Sequence, residues 1–302
     1  MDEPGASMGT TMIAAFRWAV LAACMLAFAG AGHAQTQHQQ PDLVFPGEAS
    51  GLSFFSPIAM GLWKPDGPGP FPAVILVHSC GGMKRQLGHW RGEAIKRGYA
   101  VLIIDSFTSR GSPTCRPIAP TPMTRGVKDV LDAGAHLAAM PFIDKTRIGM
   151  IGFSWGAMAG MLAGSPAYVA DVAPARERLA AAVALYPSCH IGPFGTFPGN
   201  EYLRPDVATP TLLLLGEKDT ESPPEECTSR MAVQKERGNP VEVVVFKDAT
   251  HCWDCSDQHN QRRTPPWSGG REVVYLYDSK VTDQSVERAF EFLGRRMPAA
   301  RS

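Results

Sequence analysis

Arg147-Ile148-Gly149-Met150-Ile151-Gly152-Phe153-Ser154-Trp155-Gly156-Ala157 is the stretch on which the fold reading turns. Residues Arg147 to Gly152 read as a strand, and Trp155 to Ala163 read as a helix. Between them stands Ser154 in a Gly-x-Ser-x-Gly frame. A chain that passes from strand to helix in so few residues turns sharply and needs small flanking residues. The turn lifts the serine hydroxyl above the sheet, at the positive end of a helix. The competing reading is a Gly-rich turn with an idle serine, so the rest of the chain must decide.

Outward from this turn the same alternation continues. Ala73 to Val77 is a continuous apolar run of the kind buried on both faces of a parallel sheet. A helix is expected from Gln86 to Arg97, closed by Gly98, then a strand from Tyr99 to Ile104 and a helix from Thr124 to Met140. Further strands are expected at Ala181 to Leu185, Thr211 to Leu215 and Val241 to Phe246, with helices near Pro224 to Arg237 and Asp283 to Met297. Strand–helix alternation of this kind predicts an α/β fold, a mostly parallel central sheet covered by helices on both faces. Phe45 to Lys64 is expected to add one or two antiparallel edge strands.

Composition narrows the function classes. With 44% hydrophobic residues the chain can pack a core, which excludes wholesale disorder. The 29 basic residues balance 29 acidic ones, so no electrostatic case exists for nucleic acid or an acidic membrane as partner. Nothing in the sequence sets an oligomeric state. The apolar run from Trp18 to Gly30 follows Arg17 and ends at Gly32-His33-Ala34, the order of a secretory signal peptide. The run is about 13 residues, short of the roughly 20 a spanning helix needs. Cleavage near Ala34 would leave residues 35–302 as one exported domain, periplasmic or secreted. Asp2 and Glu3 are unusual for such a start, and Met8 and Met12 are alternative initiators. Leu21-Ala22-Ala23-Cys24 offers the rival reading of a lipidation site. After removal of Cys24, the cysteines left of the original seven are Cys80, Cys115, Cys189, Cys227, Cys252 and Cys255. An even set in an oxidising compartment favours disulfides, with 15 pairings open.

A serine hydroxyl is a poor nucleophile at neutral pH and needs a base, itself oriented by a carboxylate. Asp219 stands on the loop after the Thr211 to Leu215 strand, with Glu217 and Glu221 as local competitors. His251 follows the strand ending at Phe246 and completes the chain order serine, acid, histidine. Acyl transfer also needs donors for an oxyanion. His78-Ser79-Cys80-Gly81-Gly82 closes the first long strand, which makes the backbone N–H groups of Cys80 and Trp155 the candidates. His78 could serve as a base or metal ligand, or simply hold the turn.

Together these pieces resemble an α/β-hydrolase of the dienelactone hydrolase family, from about Phe54 to Met297. The resemblance rests on His-Ser-Cys-Gly-Gly at 78–82, Asp-Ser-Phe-Thr-Ser-Arg-Gly at 105–111 and Gly-Phe-Ser-Trp-Gly at 152–156. Leu-Tyr-Pro-Ser-Cys at 185–189, Leu-Gly-Glu-Lys-Asp at 215–219 and Ala-Thr-His at 249–251 complete it. Two departures go together: the family's usual strand-end Glu is Ser79 here, and the cysteine nucleophile of its best-known members is Ser154. The resemblance implies the α/β-hydrolase fold and a Ser154–His251–Asp219 triad without metal or cofactor. Family arginines bind a substrate carboxylate, which makes Arg110 a substrate-binding candidate; the alternative is an arginine that ties down its own loop.

The implied fold also narrows the cysteines. Strands ending at Val77 and Ile104 lie side by side in it, which brings Cys80 to Cys115, with Cys80 as a buried free thiol the alternative. Strands ending at Leu185 and Leu215 likewise bring Cys189 to Cys227, and Cys252 and Cys255 are left to close a small ring. The expected function is hydrolysis of small carboxylic esters or lactones through an acyl-enzyme. The alternatives are a peptidase or amidase, a non-catalytic binding protein on the same fold, and a thiol redox protein built on Cys252-Trp253-Asp254-Cys255.

Overall fold

A computed structural model of the protein describes residue 1 and residues 42–47, 59–115, 121–192, 200–265, 268 and 270–298. The expected signal segment and Cys24 lie outside the described residues.

The chain enters on β1 (Gly61–Trp63) and β2 (Phe71–Val77), followed by α1 (Gln86–Lys96), β3 (Ala100–Ile104), α2 (Met123–Ala138) and β4 (Ile143–Phe153). Next come α3 (Trp155–Ala163), α4 (Pro166–Val172), β5 (Ala181–Leu185) and the two-residue strands β6 (His190–Ile191) and β7 (Asn200–Glu201). The C-terminal part holds β8 (Thr211–Gly216), α5 (Glu225–Thr228), α6 (Met231–Glu236), β9 (Val241–Phe246), β10 (Gln261–Arg263), β11 (Val273–Tyr275) and α7 (Ser279–Arg296). Seven strands form one sheet in the order β1-β3-β2-β4-β5-β8-β9. Only β1 is antiparallel, pairing Gly61 with Ile103 and Trp63 with Val101; the other neighbours run parallel. This is the expected α/β-hydrolase arrangement.

The inner strands lie between two apolar layers, which is why they read as continuous apolar runs. Ile75, Leu102, Met150 and Leu213 face one layer with Trp155 and Leu162, and Val74, Ile103, Ile151 and Leu214 face the other with Trp90 and Phe290. At roughly 25 cal/mol per Å² of apolar surface, each fully buried Leu or Ile contributes about 2 kcal/mol.

The strand order places β2 and β4 side by side, with Val77 paired to Gly152. The chain reverses direction across the sheet here, and a crevice opens beyond the strand ends. A close approach fixes the geometry. A Cβ on Gly156 would stand 2.3 Å from the Val77 carbonyl oxygen, and one on Gly152 would stand 2.4 Å from the Gly156 carbonyl oxygen. Glycine at both positions lets the first turn of α3 sit directly on the end of β2.

Element boundaries differ from expectation in physically readable ways. The helix expected over Pro224 to Arg237 is broken into α5 and α6. Its middle runs Cys227-Thr228-Ser229, three poor helix formers in succession, and Cys227 is tethered to Cys189. Helix α7 begins earlier than expected because Asp278 caps it, its side chain accepting from the Val281 N–H at 3.0 Å. Ser165 caps α4 in the same manner, with Pro166 at its first position.

The sulfurs of Cys80 and Cys115, of Cys189 and Cys227, and of Cys252 and Cys255 lie at disulfide distance, with Cα separations of 4.9, 5.0 and 5.3 Å. The first two pairs join loops that leave neighbouring strands, β2 with β3 and β5 with β8.

Gly156→Ala should cost on the order of 3 kcal/mol, because both groups it meets are backbone and cannot move aside. Gly294→Ala in α7 should instead stabilise by about 0.5–1 kcal/mol, since a Cβ there meets nothing within 4 Å. Urea denaturation of the two variants checks both signs.

Candidate active site

Ser154 is held between β4 and α3 at φ 49° and ψ −106°. A non-glycine residue there is strained, and its neighbours over-determine the conformation. Its N–H donates to the Leu185 carbonyl on β5 at 2.9 Å, and its own carbonyl accepts from the Met158 N–H at 3.0 Å. The hydroxyl is thereby left facing the crevice.

Asp219 lies in the turn after β8, and its two oxygens divide the work. Oδ1 accepts from the backbone N–H of Glu221 at 2.9 Å and of Ser222 at 2.8 Å. Oδ2 stands 2.7 Å from Nδ1 of His251. That contact places the imidazole proton on Nδ1 and turns the Nε2 lone pair toward Ser154 Oγ, 3.1 Å away. His251 is 3% exposed and packs against Tyr186, with ring centroids 4.8 Å apart. Burial alone would lower the imidazole pKa. The charges of Asp219 and Glu221, the Asp219 hydrogen bond and the charge of Asp254 outweigh it and push His251 up to about 9.

The loops beneath the acid and the histidine support each other. The Lys218 N–H donates to the Ala249 carbonyl, and the Leu276 N–H donates to the Thr250 hydroxyl. Of the three carboxylates near the acid position, only Asp219 meets Nδ1. Glu217 turns away to accept from the Asp248 N–H at 3.0 Å. Glu221 enters the crevice, with Oε2 3.8 Å from Nε2 of His251 and the Tyr275 hydroxyl donating to that oxygen. The sequence places Glu221 near the acid, but nothing in it points to Tyr275, which arrives from β11.

Across the crevice lies the turn after β2. The Ser79 carbonyl accepts from the Gly82 N–H at 2.9 Å and from Nδ1 of His78 at 2.8 Å. In a trans peptide the next N–H points opposite to that carbonyl, so these anchors set the direction of the Cys80 N–H. Nε2 of His78 accepts from the Ser106 N–H at 3.0 Å, so both ring nitrogens are engaged within the turn and the loop beside it. Fully buried, this imidazole has its pKa lowered chiefly by burial. His78 holds the turn and the loop after β3 together. Trp155, whose N–H is the other candidate donor, follows Ser154 as the first residue of α3.

Ser79, Cys80, Ser154, Glu221, His251, Arg263 and Tyr275 are among the residues around a cavity of about 300 Å³. A space of this size suits a small substrate.

Arg110 is not part of this cavity, which corrects its assignment as a substrate-binding candidate. Its guanidinium makes a bidentate pair with Asp129 at 2.7 and 2.8 Å and donates to the Ser106 carbonyl at 2.7 Å. Both side chains are almost completely buried. A fork closed on a buried carboxylate ties the 105–111 loop to α2. Among the described residues, Arg263 borders the cavity, stacked over the Tyr275 ring at 4.7 Å.

The Cys252 and Cys255 sulfurs and an Asp254 oxygen lie within 4.8 Å of one another. The two sulfurs are engaged with each other, and Asp254 accepts from Trp90 Nε1 and the Tyr186 hydroxyl, both at 2.8 Å. This cluster braces the segment that follows His251. It does not begin a long helix, as the redox alternative requires; only a single 3₁₀ turn, Ser256–Gln258, follows.

With the fold and this geometry in view, comparison with known proteins gives a consistent class. Residues 58–297 match the dienelactone hydrolase family, so the chain belongs to that family and is a hydrolase. A Yersinia pestis protein whose name provisionally assigns it carboxymethylenebutenolidase activity is 25% identical over 209 residues, covering 63% of this chain and 72% of that one. Among solved structures, the Thermogutta terrifontis esterase with butyrate bound superposes with a TM-score of 0.61 at 16% identity, over 80% of this chain and 91% of that one. Esterase 2 of the same organism, phosphonylated by cyclosarin, gives 0.57 at 18% identity, over 80% and 90%.

Arg110→Met should destabilise the protein by about 3 kcal/mol, because it removes the bidentate partner of the buried Asp129 carboxylate and leaves it the longer contact from Arg125 at 3.2 Å. Among molecules that remain folded, the ratio of kcat/KM for matched neutral and anionic esters should not change. Thermal unfolding together with that ratio checks both halves.

Proposed function

We propose that this protein is an exported serine hydrolase that cleaves small carboxylic esters or lactones through an acyl-enzyme on Ser154. The observation that carries the reading is the continuous hydrogen-bonded line from Asp219 through His251 to Ser154, with the serine on a strained strand–helix turn. In the first half-reaction His251 Nε2 takes the Ser154 proton as Oγ attacks the acyl carbon. Asp219 stabilises the imidazolium, and the N–H groups of Cys80 and Trp155 receive the developing oxyanion. The C–O bond to the leaving alcohol then breaks, and the imidazolium returns the proton to that oxygen. In the second half water takes the place of the alcohol and releases the acid.

The named similarity to carboxymethylenebutenolidase and to esterases favours ester and lactone substrates over amides. The fully engaged Arg110 leaves no support from that residue for anionic substrates. Export is supported by the signal-like order of Trp18 to Ala34 and by the pairing of all six remaining cysteines. Among the described residues no helix is long and apolar enough to cross a membrane.

Ser154→Ala should reduce kcat by about 10³-fold or more with little change in folding, and should abolish labelling by a fluorophosphonate. Asp219→Asn should be similarly impaired while Glu217→Gln remains active; the reverse pattern would reassign the acid. Mass spectrometry of the labelled peptide and steady-state kinetics decide both.

The pH profile carries a signed expectation. His251 must be neutral to accept the proton, and Asp219, Glu221 and Asp254 all favour its charged form. The rising limb of kcat/KM should therefore lie above the ordinary histidine value of 6.5, toward 9. Because the folded state holds this proton more tightly than the unfolded chain, its contribution to stability is full below pH 6.5. That contribution fades as pH rises through about 9. A limb at or below 6.5 in a pH–rate profile would sink this account of the electrostatics.

A further inference from the structure

Glu221 stands in the cavity, and the proton transfers described above make no use of it. Its side chain is 16% exposed, its backbone N–H is fixed on Asp219, and its Oε2 receives the Tyr275 hydroxyl. Burial and the adjoining Glu221 charge both raise the Tyr275 pKa, which keeps that hydroxyl a donor. A tyrosine from another strand and a backbone bond to the acid thus hold one carboxylate oxygen 3.8 Å from the working nitrogen of the base.

That distance poses a chemical question. Unprotonated Nε2 is an acceptor and so is a carboxylate oxygen, so the two cannot bond to each other. In the free enzyme Nε2 is occupied by the Ser154 hydroxyl. Once Oγ is acylated it has no proton to offer, and Nε2 loses that partner. A water molecule donating one proton to Nε2 and the other to Glu221 would bridge two acceptors roughly 4 Å apart, at about 2.8 Å from each. The observed separation fits such a bridge.

We propose that Glu221, steadied by Tyr275, positions the water that hydrolyses the acyl-enzyme. This rests on the acyl-enzyme reading given above. As the water oxygen bonds to the acyl carbon, one of its protons passes to Nε2 of His251, while the other stays hydrogen-bonded to Glu221 and is not transferred. Collapse of the tetrahedral intermediate breaks the bond from carbon to Ser154 Oγ, and the imidazolium returns its proton to Oγ. The products are the free carboxylic acid and the restored serine. Acylation uses no water, so the positioning of water by Glu221 belongs to the second half-reaction, while its charge favours the imidazolium in both halves.

The test separates the two halves with p-nitrophenyl acetate in a stopped-flow instrument, together with mass spectrometry of acid-quenched enzyme. Glu221→Gln should release one equivalent of p-nitrophenolate in a burst whose rate falls less than the rate of deacylation, the loss in the burst reflecting only the missing charge near the imidazolium. Steady turnover should then fall by about 10-fold or more, with an acetyl group accumulating on Ser154. Glu221→Asp keeps the charge but shortens the reach, and should accumulate acetyl-enzyme as well. If the Gln variant does not fold, the Asp variant carries the test alone. Unchanged turnover in Glu221→Gln, or acylation slowed as much as deacylation, would overturn the assignment. So would an Asp variant that matches wild type, since that would make Glu221 only a charge that supports the imidazolium. Failure of the underlying reading looks different: Ser154→Ala would still release p-nitrophenolate at the wild-type rate, and no acetyl group would appear on Ser154 of any form.

Discussion

The site depends on one close contact, the first turn of α3 resting on the end of β2 with no Cβ between them. Gly156 lies against the Val77 and His78 carbonyls, and this approach sets Ser154 and the proposed oxyanion turn at a fixed distance. A side chain there would lift α3 from the sheet, moving Ser154 and the Trp155 N–H relative to Cys80. The strain at Ser154 follows from the same constraint, because a strand cannot reverse into a helix so tightly within ordinary backbone angles. The inner strands supply the rigidity that sustains it. They are buried on both faces and hydrogen-bonded on both edges, so the free energy that holds the strained turn is spread over the whole sheet.

The base is governed by a second constraint, the concentration of negative charge around a buried imidazole. Asp219 touches Nδ1, Glu221 lies near Nε2, and Asp254 stands further back, tied to Trp90 and Tyr186. Burial disfavours the imidazolium, and the carboxylates together more than offset it. This division suits the proposed acyl transfer. The imidazolium exists only between two proton transfers, and groups aimed at it in advance need no reorganisation when it forms. Asp254 is itself raised by burial while its two donors oppose that shift, so its main work is to hold Tyr186 against the histidine ring.

How much of this was legible in the sequence depends on whether local chemistry or tertiary contact made the decision. The Gly-Phe-Ser-Trp-Gly turn, the inner strands and the order Ser154, Asp219, His251 were legible because short-range rules enforce them: small residues at a tight turn, apolar runs inside a sheet, polar groups just past strand ends. Cys80–Cys115 and Cys189–Cys227 follow from strand adjacency once the fold is supposed, and Cys252–Cys255 only as the remainder. For Arg110 the sequence leaves a ligand-facing and a loop-tying role open, because its partner, Asp129, sits a full loop away on α2, and no local signal distinguishes an arginine facing a ligand from one facing a buried carboxylate. Tyr275 was invisible for the same reason. It reaches Glu221 from a three-residue strand, across 54 positions of chain. The break between α5 and α6 is readable in principle from Cys227-Thr228-Ser229, three poor helix formers in succession.

The cysteine pairs fall where the sheet can do least. Beyond the strand ends the loops carry no ladder of the central sheet, yet Ser79, Cys80, Glu221 and His251 around the cavity lie on them. Cys80–Cys115 joins the oxyanion turn to the loop after β3, across 35 residues of chain. Cys189–Cys227 joins the segment after β5 to α5, just past the acid loop, across 38. Closing loops of that length is worth roughly 3–4 kcal/mol in the chain-entropy account. Cys252–Cys255 closes too few residues for that argument, and its effect is local: it fixes the backbone that leaves His251, where Asp254 is already held by two donors. Arg110 with Asp129 does by charge what these pairs do by sulfur, pinning the 105–111 loop to α2. The cavity is therefore built from segments that are each tied at a point just outside it. That leaves the groups lining it, Glu221 and Tyr275 among them, free to be arranged for chemistry and not for stability.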